Sequence, residues 1–145
     1  MQTVAATHFP AIAVLPFDDL SPDKVLGSLG DGVSEDIIAM LSRFTDLSVT
    51  ARNSSFVYKG KPVDIRQVGH DLNVDYALEG SVRKEADQIR ITAQLIDAKN
   101  GEHVWAEHYD KVGNDLSALQ CAAGRASRSY AVRSSRSQQA NRAQP

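Results

Sequence analysis

The chain has 145 residues, a formal net charge of −2, 42% apolar residues and 23% charged residues, which fits one globular domain able to bury a core without disulfides or metal. Residues 1–110 hold 10 Lys and Arg against 17 Asp and Glu, which argues against nucleic-acid binding by the folded part, while residues 111–145 reverse the balance with 6 against 1. No run of about 18 apolar residues exists, so no transmembrane segment is expected, and the single Cys121 rules out an internal disulfide and lacks zinc-type Cys/His spacing.

Residues 1–10 carry no periodicity and read as a flexible lead-in. They lack the basic n-region of a secretory signal, so the isolated chain is expected in the cytoplasm. Ala11 to Phe17 is a short apolar run between Pro10 and the acidic pair Asp18-Asp19. It predicts a strand buried on both faces, ended near Pro16, with the two aspartates in a turn. Val33, Ile37, Ile38, Leu41 and Phe44 share one side of a helix, for which Asp31 is the N-cap candidate.

Leu47 to Arg52 alternates and predicts a second strand, and residues 53–63 read as a polar loop. Asp64 caps a second helix whose apolar positions are Ile65, Val68 and Leu72, with Asn73 as a left-handed C-cap. Tyr76 to Asp110 then predicts three strands joined by turns at Ala86-Asp87 and Lys99-Asn100-Gly101. In the middle strand Ile89, Ile91, Ala93 and Leu95 fall on one side, Arg90, Thr92 and Gln94 on the other. The order β-α-β-α-β-β-β gives an α/β domain over residues 11–120: a mixed sheet of about five strands with two helices on one face. Beyond Gln120 the composition turns to Arg, Ser, Ala and Gln, and residues 121–145 read as a disordered basic tail.

No catalytic constellation stands out. Gly27, Gly30 and Gly32 at a helix entry do not make a phosphate-binding fingerprint and read as turn and cap. Asp18 and Asp19 have the strand-end placement of metal-binding carboxylates but no second strand-borne carboxylate to complete a site. His103 and His108 differ by an odd number, which sends them to opposite faces of one strand and denies them a shared metal. Trp105 falls with His103, Glu107 and Tyr109 on one face. Neither a metal nor a cofactor is expected. The interaction surface expected from these residues is the edge strand around Trp105 and Tyr109 with the loop carrying Ser54, Tyr58 and Lys59. The sequence names no protein partner or small ligand.

The phrases IAVLPFDDLSPD, LGDGVSEDIIAMLSRF and ALEGSVRKEADQIRITAQLIDAKNGEHVWAEHYD together resemble the TolB amino-terminal-like domain of bacterial adenylate-cyclase-associated and tetratricopeptide-repeat signalling proteins. The resemblance covers about residues 11–120. It implies an α/β sandwich and a non-catalytic sensing or protein-interaction role, in relatives that are often attached to a membrane. It also implies an output domain before the module and helical repeats after it. The compositional break near Gln120 suggests a fragment whose reading frame shifts there. Two other readings stay open: a piece of an adenylate cyclase, and a structural scaffold or gene remnant.

Overall fold

The computed structural model describes residues 9–22, 29–112 and 117–143, with side chains described as far as Ser134. The lead-in to residue 8 and Gly27 lie outside the described residues. The elements are β1 (Ala11–Val14), β2 (Asp18–Asp19), α1 (Leu29–Leu41), β3 (Ser48–Val49), α2 (Arg52–Ser55), a 3-10 turn at Phe56–Tyr58, α3 (Ile65–Leu72), β4 (Tyr76–Glu85), β5 (Gln88–Asp97), β6 (His103–Val112) and α4 (Ser117–Ala143). They form the expected α/β class around one mixed sheet. Its order is β3-β1-β4-β5-β6, with β2 beside β4. β1 runs parallel to both β3 and β4, and β4, β5 and β6 form an antiparallel meander.

Asp18 and Asp19 do not form the expected turn; they are β2, paired with Ser81 and Val82 of β4. The register explains why. Val14 lies opposite Leu78, and Asp18 opposite Ser81. Four steps on the first strand therefore match three on the second, so β1 and β2 are one strand interrupted by a bulge at Leu15-Pro16-Phe17. Pro16 has no amide to offer the ladder, which makes it a natural place for the extra residue.

The helices are divided between the faces. Ile12, Val14, Leu78, Ile89, Ile91 and Leu95 pack with Val33, Ile37 and Leu41 of α1 and with Leu119, Ala123 and Ala131 of α4. The alternate positions Leu15 and Ala77 pack with Val68 of α3 and, more loosely, with Tyr58 and Val63. Two helices do cover one face, but they are α1 and α4, and α3 lies on the other. Period two in β1, where every residue from Ile12 to Val14 is buried, requires cover on both sides.

The tail predicted to be disordered is helical from Ser117 through Ala143. Leu119, Ala123, Ser127, Ala131 and Val132 are buried, at the spacing of one helical stripe. Most of that stripe is Ala, Gly or Ser. It lets α4 approach α1 closely enough that a Cβ on Gly124 would overlap Met40. The contact gains from close approach what it lacks in large side chains. Arg128 fixes it further, donating to Asp46 at 2.6 Å and lying 4.2 Å from the centre of the Phe44 ring. The helix runs through Gln120 without interruption, so the compositional break there is not a structural one.

Other local expectations hold or shift for identifiable reasons. The Asp64 carboxylate accepts the Arg66 amide and Asn73 adopts φ 54, capping α3 at both ends as expected. α1 starts at Leu29, which places Asp31 inside the first turn rather than at the cap. The strand expected over Leu47–Arg52 is only Ser48–Val49, because the chain turns into α2 at Arg52.

Candidate functional site

The face of the sheet opposite α1 and α4 is only partly covered. α3 closes one end over Ala13, Ala77 and Ala98, and a Cβ on Gly69 would sit 2.6 Å from Ala98 Cβ, so this helix rests directly on the sheet edge. Beyond α3 the sheet presents polar residues. Asp18 of β2, Glu79 and Ser81 of β4, and Thr92 and Gln94 of β5 share this face by register. With Tyr58, Lys59, Gly60 and Lys61 they line a cleft of about 450 Å³, within the size range of small-molecule sites.

One wall is the segment after the 3-10 turn. Gly60 takes φ 74 and lets the loop reverse. The loop is anchored twice: the Tyr58 hydroxyl donates to Asp71 Oδ2 at 3.4 Å, and Lys59 is ion-paired with Asp31 of α1. Burial first, and the Asp71 carboxylate second, raise the Tyr58 pKa above its usual value. The opposite wall is the sheet. Burial raises the Glu79 pKa above the usual carboxylate range; His103 works against this shift and Asp18 adds to it. No hydrogen bond or ion pair reaches the Glu79 or Asp18 carboxylate from the described residues.

The residues expected to form one interaction surface are separated. Tyr58 and Lys59 line the cleft. Ser54 is exposed in α2, its amide donating to Ala51, and is not among the residues lining that cleft. Trp105 pairs with Leu95 and Tyr109 with Ile91, so both face the α1 and α4 side, where they pack half-buried against the core. Burial, and then Glu107, raise the Tyr109 pKa. The two aromatics contribute to the closed face and are remote from Tyr58 and Lys59 through the thickness of the sheet.

His103 and His108 correct the expectation from odd spacing. A register shift between Leu95 and Ile96 places His103 opposite Ile96 and Trp105 opposite Leu95, while His108 pairs with Thr92. The extra residue reverses the alternation, so both histidines lie on the open face and His103 leaves the face of Trp105. Four register steps still separate them by roughly 13 Å, too far to share a metal. Among the described residues no group of three or more His, Cys, Asp or Glu is arranged to hold a metal ion.

Glu79, Ser81, Thr92 and Gln94 were not singled out as site residues by sequence. The signal available was their common parity on two adjacent strands, which marks a polar face without saying that a loop walls it.

Residues 7–123 match the family model described as the HilA/YgeH-like transcriptional regulator, second domain. The chain is 56% identical over 111 residues to a putative adenylate cyclase 3 of Rhizobium meliloti (strain 1021), covering 77% of this chain and 19% of that protein. It thus spans about a fifth of the length of that curated relative. Among solved structures, lipoprotein GNA1162 of Neisseria meningitidis has TM-score 0.59 and 23% identity, over 77% of this chain and 91% of that one. TolB of Acinetobacter baumannii has TM-score 0.52 and 17% identity, over 83% of this chain and 27% of that one. These structural likenesses show a shared fold, and TolB is among them. No described helix is long and apolar enough to cross a membrane.

Proposed function

Because the chain belongs to the HilA/YgeH-like transcriptional regulator second-domain family, we propose that it is a non-catalytic sensing or protein-interaction module of a bacterial signalling protein. The observation that carries this reading is that one domain matches proteins named for different activities. The family model is named for a transcriptional regulator, whereas the curated relative is named a putative adenylate cyclase and matches this chain over only 19% of its length. A module that combines with different outputs is expected to make contacts while the output performs the chemistry.

The geometry supports the same assignment of roles. One face of the sheet is closed by α1 and α4 and serves stability. The other carries a polar cleft on a rigid strand frame, the kind of place where contacts with a ligand or partner are made. The test is on the Rhizobium relative. Excising its 111-residue matching segment should leave cyclic AMP formation by the remaining folded protein intact while changing its response to regulation. Loss of turnover in a remainder that circular dichroism shows to be folded would overturn the reading.

A second reading takes the chain as an integral part of a cyclase catalytic unit, and the 56% identity to the putative adenylate cyclase favours it. It requires the chain to bind ATP or supply a group to the reaction, and the same excision separates the two.

A further inference from the structure

The cleft on the open face carries charges of opposite sign on opposite walls. Asp18 and Glu79 stand on the sheet, and Lys59 and Lys61 on the loop. Lys59 is engaged by Asp31. Lys61 has no ion pair among the described residues, and neither carboxylate has a hydrogen-bond or ion-pair partner there; His103 acts on Glu79 only as a neighbouring charge. A half-buried carboxylate without a hydrogen-bond partner is unfavourable, and a ligand ammonium would satisfy it with charge-assisted hydrogen bonds.

We propose that this cleft binds a small zwitterion of the amino-acid or dipeptide class, with the ligand ammonium on Glu79 and Asp18 and the ligand carboxylate on Lys61. Beside the carboxylates on the sheet wall, Ser81, Thr92 and Gln94 offer neutral hydrogen-bonding groups suited to a peptide unit, and Leu15 and Val63 add apolar lining for a side chain. The volume of about 450 Å³ accommodates a ligand of that size. Other classes fit less well. A nucleotide would crowd several phosphate charges onto the one cleft lysine without an ion pair among the described residues and leave Asp18 and Glu79 facing no cation. A divalent cation would lack ligands, since no group of three ligating side chains is present among the described residues. The loop wall is held by the Tyr58–Asp71 and Lys59–Asp31 contacts, so the two ends of the site keep their separation without a ligand.

This inference rests on the sensing reading and names what is sensed. The test is an NMR titration of the purified full chain with the free amino acids and with glycylglycine. N-acetylglycine, which lacks the ammonium, and glycinamide, which lacks the carboxylate, serve as half-ligands. The expected result is a saturable shift of the Ser81, Thr92 and Gln94 amides with at least one zwitterion, and at least about tenfold weaker binding of both half-ligands. Glu79→Gln and Lys61→Ala should each weaken binding by about tenfold or more. Lys61 is exposed on a loop, so its variant keeps the test decisive if Glu79→Gln disturbs folding. The proposal is overturned by the absence of saturable shifts up to about 10 mM, by a half-ligand binding as well as its parent, or by unchanged affinity in Lys61→Ala. Those outcomes leave the excision experiment untouched, and loss of cyclase turnover there would leave this binding untouched, so the two claims fail separately.

Discussion

The Ser34 hydroxyl accepts the Phe17 amide at 2.8 Å and lies 3.1 Å from the Leu15 carbonyl. The bulge at Pro16 takes both backbone groups out of the β1–β4 ladder, and a serine on α1 supplies what the sheet cannot. Ser34 is fully buried, so water offers no replacement. Ser34→Ala is expected to cost about 1–3 kcal/mol, the penalty for leaving a buried backbone group unsatisfied. Urea unfolding followed by circular dichroism checks it, and a loss below about 0.5 kcal/mol would mean that the bulge finds other partners.

The same junction distinguishes two glycines of α1. A Cβ on Gly30 would lie 2.0 Å from the Phe17 carbonyl oxygen, whereas a Cβ on Gly32 meets nothing within 4 Å. Gly30→Ala must push the helix off the bulge and is expected to destabilise by about 1–3 kcal/mol or more. Gly32→Ala is expected to stabilise by about 0.5–1 kcal/mol, through helix propensity alone. Opposite shifts of the thermal midpoint for the two variants check the contrast.

The hairpins and α3 were readable from sequence because their signals are local. The alternation of Ile89, Ile91, Ala93 and Leu95, the Asn100-Gly101 turn with Gly101 at φ 77, and the Asp64 and Asn73 caps each act within a few residues. The misses share another cause: each depends on partners far away in the chain. The Pro16 bulge shows only once β4 is aligned beside it. The shift between Leu95 and Ile96 moves His103 to the face opposite the one its spacing from Trp105 suggests. The division of α1 and α3 between the faces depends on which residues of β1 each meets. α4 escaped notice because its buried stripe is built of small residues whose hydropathy is low and whose value lies in close approach to α1. The cleft was legible only in part: Tyr58 and Lys59 belong to it, but Trp105 and Tyr109 contribute to the other face.

Arg128 is the clasp of that helix. Its guanidinium makes two hydrogen bonds to the Asp46 carboxylate and stacks on Phe44. With both charged groups partly screened by solvent, Arg128→Ala is expected to cost about 1–2 kcal/mol, and Arg128→Lys, which keeps the charge without the planar fork, less. Trp105 is the only tryptophan and packs on the same core that α4 covers. Acrylamide quenching of its fluorescence should therefore increase in Arg128→Ala. Unchanged quenching together with unchanged stability would show that α4 docks without this contact.

Glu79 sets a pH dependence. Its folded pKa lies above the unfolded reference of 4.5, chiefly through burial, with Asp18 adding to the shift and His103 opposing it. A raised carboxylate pKa means that the folded state binds the proton more tightly than the unfolded chain. Glu79 therefore contributes stability that is fully present below pH 4.5 and is lost as pH rises through its folded value. Glu79→Gln should remove this component. The stability of the parent relative to the variant should fall as pH rises above 4.5 through the folded value and then level off, as measured by urea unfolding over a pH series. A difference independent of pH would show that the carboxyl group is solvated in the fold.

The central claim is that this chain makes contacts and leaves chemistry to an output domain. It is tested most directly by incubating the purified chain with ATP and Mg²⁺ or Mn²⁺ and measuring cyclic AMP. The account predicts no product above a protein-free control. Cyclic AMP accumulating in proportion to protein concentration, and lost on heat inactivation, would contradict it.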